Sequence, residues 1–216
     1  MTPIIIDSKG PPIGSVIFLH GLGADGFDFQ EIFTRLQFNK IRFILPHATY
    51  QPITINQGFE MRAWYDLYDL SLEKDEDEIG MKRSSVFIYQ LIEEQISLGI
   101  DSNKIIIGGF SQGAVMSFYL GLRYQKKLGG IAALSGYLPL KEKLLNPIQN
   151  DLINIPIFMA HGLYDNVINI TIANNSFEKL SNKFNSTNFE KYEMGHEICE
   201  KEIDDLSIFF NQSLNK

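Results

Sequence analysis

One cysteine, Cys199, stands in 216 residues, so no disulfide can form within the chain and a reducing compartment is the natural setting. Positive charge is also scarce: 19 Lys and Arg against 26 Asp and Glu give a formal net charge of −7. Binding a phosphate backbone needs a basic face, and no run of Lys and Arg supplies one, so a nucleic-acid partner is excluded. No window approaches the ~20 consecutive apolar residues of a membrane-spanning helix. The opening MTPIIIDSKG has no basic stretch, and Ile4–Ile6 is too short an apolar segment for a signal peptide, so none is expected. Met1-Thr2 lacks the glycine that myristoylation requires. These absences together predict a cytoplasmic protein.

What is present reads as one domain over residues 1–216, since 44% hydrophobic and 21% charged residues are ordinary for a folded chain of this size. Short apolar runs recur at Val16–Leu19, Ile41–Leu45, Lys104–Ile107, Gly130–Leu134, Ile155–Ala160 and, less apolar, Asn188–Tyr192. Runs of four to eight such residues bounded by Gly, Pro or Asn predict strands buried on both faces. Helix-period segments fall between them, near 28–37, 79–98, 112–124, 169–183 and 200–214. This alternation predicts an α/β fold, a mostly parallel central sheet with helices on both faces. Two connections are long: 46–78, with Trp64-Tyr65-Asp66 and the acidic run Glu73 to Glu78, and 136–154. In such sheets function concentrates beyond the carboxyl ends of the strands, so the residues after each apolar run matter most.

After Lys104–Ile107 comes Gly108-Gly109-Phe110-Ser111-Gln112-Gly113, a G-x-S-x-G placed between a strand and a helix. Small flanking residues allow the tight turn that exposes the serine Oγ, and the helix start aims N–H groups at a developing oxyanion. The pattern alone is short enough to arise by chance, and a glycine-rich turn with a helix-capping serine would look the same. Its partners give it meaning. A serine nucleophile needs a base, and the base needs an orienting carboxylate. Asp165 follows the strand Ile155–Ala160 through His161-Gly162-Leu163-Tyr164, and His196 follows Asn188–Tyr192 through Glu193-Met194-Gly195. The order Ser, Asp, His is that of the α/β-hydrolase arrangement. His20, His47 and His161 are worse placed as bases, and His161, at the end of the strand leading to Asp165, reads as a loop-positioning histidine.

Two decoys fall away. Gly21, Gly23 and Gly26 spell the dinucleotide fingerprint G-x-G-x-x-G, but Ile44-Leu45-Pro46-His47-Ala48 lacks the carboxylate that would hold a ribose. A hydrolase uses such a loop otherwise, turning the backbone N–H of Leu22 toward the oxyanion, with that of Gln112 as second donor. His196-Glu197-Ile198-Cys199-Glu200 resembles the zinc motif H-E-x-x-H but ends in Glu, so metal catalysis is not expected.

The segments His20-Gly21-Leu22-Gly23-Ala24-Asp25-Gly26, Arg62-Ala63-Trp64-Tyr65-Asp66, Gly109-Phe110-Ser111-Gln112-Gly113, His161-Gly162-Leu163-Tyr164-Asp165 and Gly195-His196 span nearly the whole chain. Together they resemble the phospholipase/carboxylesterase family of small α/β-hydrolases, which includes acyl-protein thioesterases and bacterial carboxylesterases. The resemblance implies an α/β-hydrolase fold and cleavage of acyl esters or thioesters through an acyl-enzyme, without cofactor. It puts nucleophile, acid and base on Ser111, Asp165 and His196, and oxyanion donors on Leu22 and Gln112. It also implies a homodimer.

About twenty residues separate Leu134 from Ile155, which leaves no room there for a large cap domain. An open site suits an acyl group on a protein, a lysolipid or a small ester, and admits brief contact with a membrane surface. Met61, Trp64, Leu70 and Leu72, in the 46–78 connection, are the expected lining of an acyl groove, although Trp64 reads equally well as packed against the sheet. A different class of reading is a catalytically silent lipid- or protein-binding module, whose signature would be an inert Ser111.

Overall fold

The computed structural model describes residues 2–36, 38–69, 76–148 and 150–215. In chain order the elements are β1 (Ile4–Ile6), β2 (Gly14–Leu19), α1 (Gln30–Arg35), β3 (Ile41–Leu45), β4 (Tyr50–Ile53), β5 (Phe59–Arg62) and α2 (Glu78–Ser97). There follow β6 (Ile105–Phe110), α3 (Gln112–Gly121), β7 (Gly130–Leu134), α4 (Lys141–Leu144), β8 (Ile157–Gly162), α5 (Ile170–Ser181), β9 (Thr187–Tyr192) and α6 (Glu200–Leu214). Seven strands form one sheet in the order β1-β3-β2-β6-β7-β8-β9, with only β1 antiparallel to its neighbour.

Strand side chains alternate between faces, and the core divides accordingly. Ile17, Leu19, Ile105, Ile107, Ile131 and Met159 pack against α2, α3 and α5 on one side. Val16, Phe18, Phe43, Ile106, Ala132 and Phe158 pack with Phe33 of α1 and Phe210 of α6 on the other. Both faces are therefore covered, which is why the central strands read as continuous apolar runs. The predicted α/β architecture without a large cap is what the chain adopts.

Two features escaped the sequence reading. Ile4–Ile6 pairs with Phe43–Leu45 as the antiparallel edge, and the 46–78 connection holds the hairpin β4–β5, with Pro52 opposite Glu60. The strand expected at 155–160 begins two residues later, at Ile157.

Candidate active site

Ser111 sits between β6 and α3 with φ 55° and ψ −118°, a conformation that a serine adopts only under constraint. Backbone packing supplies the constraint. A Cβ on Gly109 would stand 2.4 Å from the Gly113 carbonyl carbon, and one on Gly113 would stand 2.2 Å from the Leu19 oxygen. Side chains at either position would force α3 away from the sheet. Ser111 N–H donates to the Leu134 carbonyl (2.9 Å), while Ala114 N–H (3.0 Å) donates to the Ser111 carbonyl.

The other two residues come from the neighbouring strand ends. His196 Nε2 lies 2.9 Å from Ser111 Oγ, and its Nδ1 lies 2.7 Å from Asp165 Oδ2. Asp165 Oδ1 accepts from the N–H groups of Val167 (2.9 Å) and Ile168 (2.8 Å), so the turn that presents the carboxylate also fixes its rotation. The Asp165 side chain is fully buried, whereas His196 keeps a narrow opening to solvent. Phe110 lies against the imidazole with its ring centroid 4.9 Å away. The sequence singled out these three residues separately, and the fold brings them into one hydrogen-bonded chain.

The first glycine loop is bolted down from behind. Ala48 N–H donates to His20 Nε2 (2.9 Å), so the ring proton sits on Nδ1, which donates to the Gly21 carbonyl (2.7 Å). Burial pushes the His20 pKa down to about 4, which keeps this ring neutral. Trp64 Nε1–H donates to the His20 carbonyl (2.9 Å), and Gly23 N–H donates to the Arg62 carbonyl (2.8 Å). Leu22 is thereby held beside Ser111 at the edge of a cavity of about 500 Å³, with Gln112 also in its wall. Gln112 opens α3, where a backbone N–H has no partner within the helix. Its side chain works elsewhere: Oε1 accepts from Trp64 N–H (2.8 Å) and Nε2 donates to the Tyr65 carbonyl (2.8 Å). No sequence signal marked that clamp.

Two of the four residues expected to line an acyl groove, Met61 and Trp64, lie away from the cavity wall. Trp64 is 1% exposed and is not part of the cavity wall: its indole N–H is engaged at the His20 carbonyl and its backbone N–H at the Gln112 side chain. Met61 lies beside Gly23 and Asn56, also outside the lining. Leu70 and Leu72, like the first part of the acidic run, lie outside the described residues. The wall is built instead from Phe29, Ile32, Tyr65, Phe110, Val167 and Ile198, among others. Phe29 and Ile32 come from the turn and helix after β2, more than 150 residues from Ile198 in the chain, and no local pattern joins them.

The sequence pattern of the phospholipase/carboxylesterase family matches residues 1–214. The chain belongs to that family. Among similar members is "Acyl-protein thioesterase 1" of Neurospora crassa, 36% identical over 99% of this chain and 92% of the relative. The Schizosaccharomyces pombe protein of the same name is 39% identical over 84% of this chain and 82% of its own length. In three dimensions the chain resembles Zea mays acyl-protein thioesterase 2, with a TM-score of 0.87, 26% identity and 98% of both chains covered.

Proposed function

We propose that the chain is a serine hydrolase of acyl esters and thioesters, with Ser111 as nucleophile, His196 as general base and Asp165 as the carboxylate that orients it. The observation that carries this reading is the relay Ser111 Oγ–His196–Asp165 at 2.9 and 2.7 Å, opening on a cavity walled by apolar side chains. His196 takes the serine proton as Oγ attacks the acyl carbonyl, and the Leu22 and Gln112 N–H groups receive the oxyanion. His196⁺ then protonates the leaving alcohol or assists thiolate departure, and water hydrolyses the acyl-enzyme with His196 again as base.

The names of the fungal relatives favour an acyl chain presented by a protein. Lysolipids and small esters offer the same carbonyl and belong to the same reading. Phe29, Ile32 and Ile198 suit the hydrocarbon. The reading includes one catalytic domain over residues 1–216, no cofactor and a cytoplasmic setting. Leu163, Tyr164 and Val167, exposed on the turn that carries Asp165, support contact with a second copy of the chain or with a membrane surface.

Stoichiometric labelling by a fluorophosphonate, lost in Ser111→Ala together with esterase activity, is the expected result. Esterase activity that survives Ser111→Ala would sink the assignment.

A further inference from the structure

His161 ends β8 and is fully buried, four residues before the acid it precedes. Its Nε2 lies 2.7 Å from the Ile168 carbonyl and 3.2 Å from Asp165 Oδ2. A carbonyl can only accept, so the proton sits on Nε2 and is donated to Ile168, with Asp165 Oδ2 close beside it. Nδ1 is buried with no hydrogen-bond partner among the described residues, which disfavours a second proton there. Burial lowers the pKa of this imidazole, and the ionisable groups that bear on it are Asp165 and His196.

Asp165 thus accepts three hydrogen bonds and has the His161 N–H dipole as a fourth, closely placed neighbour. Val167 and Ile168 N–H groups hold Oδ1, while Oδ2 accepts from His196 Nδ1 at 2.7 Å and faces His161 Nε2 at 3.2 Å. The backbone of Ile168 is gripped at both ends, its N–H by Asp165 and its carbonyl by His161. We infer that His161 is a positioning residue for the catalytic acid: as a neutral Nε2–H donor it locks the Asp165–Ile168 turn and draws part of the Oδ2 charge away from His196. The inference rests on the triad assignment above. Two consequences follow, one geometric and one electrostatic. Without the donor the turn loosens and the rate falls. More of the Oδ2 charge then also faces His196, which makes that imidazole a stronger base.

The test compares His161→Leu with His161→Gln, whose amide N–H can reach the same acceptors, by the pH dependence of kcat/KM on a p-nitrophenyl ester. His161→Leu should lower kcat about tenfold, because the buried Ile168 carbonyl loses its partner and the turn that fixes Asp165 loosens. Its acidic limb should move about half a pH unit toward higher pH, because that limb reports the free-enzyme base. His161→Gln should restore most of the rate and return the limb to its wild-type position. A merely structural loss would leave the limb in place or move it to lower pH, since a displaced Asp165 supports His196⁺ less. Either of those results, or a wild-type profile in His161→Leu, overturns the inference. If His161→Leu does not fold, His161→Gln decides alone, and a profile unlike wild type in that variant refutes the role. Survival of activity in Ser111→Ala would instead refute the triad itself, so the two failures are distinguishable.

Discussion

Gly113 offers the sharpest test of how the nucleophile is held in place. A Cβ added there would stand 2.2 Å from the Leu19 oxygen, 2.6 Å from its carbonyl carbon and 2.7 Å from the His20 oxygen. All three are backbone atoms at the end of β2, so no side-chain rotation relieves the clash. Opening 2.2 Å to an ordinary 3.4 Å contact requires α3 to retreat from β2 by about 1 Å. Ser111 moves with the helix, because Ala114 and Val115 N–H groups both hold its carbonyl. Leu22 stays with β2, anchored through His20 and Trp64. The two proposed oxyanion donors would then no longer converge on one point. A misplacement of about 1 Å costs on the order of 10² in rate, and overpacking costs about 1–3 kcal/mol in stability. Gly113→Ala is therefore expected to fold, to melt several degrees lower, and to lose about 100-fold in kcat/KM on a p-nitrophenyl ester. Gly10→Ala serves as the control, because its Cβ would meet nothing within 4 Å. Wild-type kcat/KM in Gly113→Ala would refute the claim that this backbone contact sets the position of Ser111.

Two further outcomes follow from the same geometry. Ile32→Phe, which intrudes on the cavity, should reduce kcat/KM about tenfold more for octanoate than for acetate esters, whereas Met61→Ala should leave that ratio unchanged; the opposite pattern would return Met61 to the acyl site. Glu202 is fully buried in α6, and burial pushes its pKa from 4.5 up to about 8. Between those values the unfolded chain has released this proton while the folded chain retains it, so the wild type loses stability as pH rises through that window. Glu202→Gln removes this dependence, and its melting temperature relative to wild type should climb from pH 5 to pH 8 and level off above; a difference that stays constant with pH would contradict the buried-acid account.

The parts of the molecule legible in the sequence were those governed by local patterns. Ile105–Ile107 is apolar at every position because both faces of its strand are covered, and Ser111, Asp165 and His196 were visible because each follows a strand at its carboxyl end. Ile4–Ile6 was illegible as a strand because three residues define no periodicity, and only the partner Phe43–Leu45 makes them one. The hairpin Tyr50–Arg62 was hidden by Pro52, which a lone edge strand tolerates and a central one does not. Trp64 left two readings open, because an aromatic in a loop near a site suits contact with substrate as well as packing; here its indole N–H holds the His20 carbonyl and its backbone N–H is held by Gln112. The cavity wall draws Ile32 and Ile198 from opposite ends of the chain, and only the folded sheet makes them neighbours.

Gln112 illustrates a constraint on how such an enzyme can diversify. Its side chain ties Trp64 and Tyr65 to the helix that carries the nucleophile, and Tyr65 is itself part of the cavity wall. A library that varied position 112 to recruit new acyl groups would therefore disturb the scaffold of the reaction along with the shape of the pocket. Ile32 and Ile198 also line the cavity but hold no loop through hydrogen bonds, so a change of acyl specificity proceeds through them with less disturbance to the helix that carries the nucleophile.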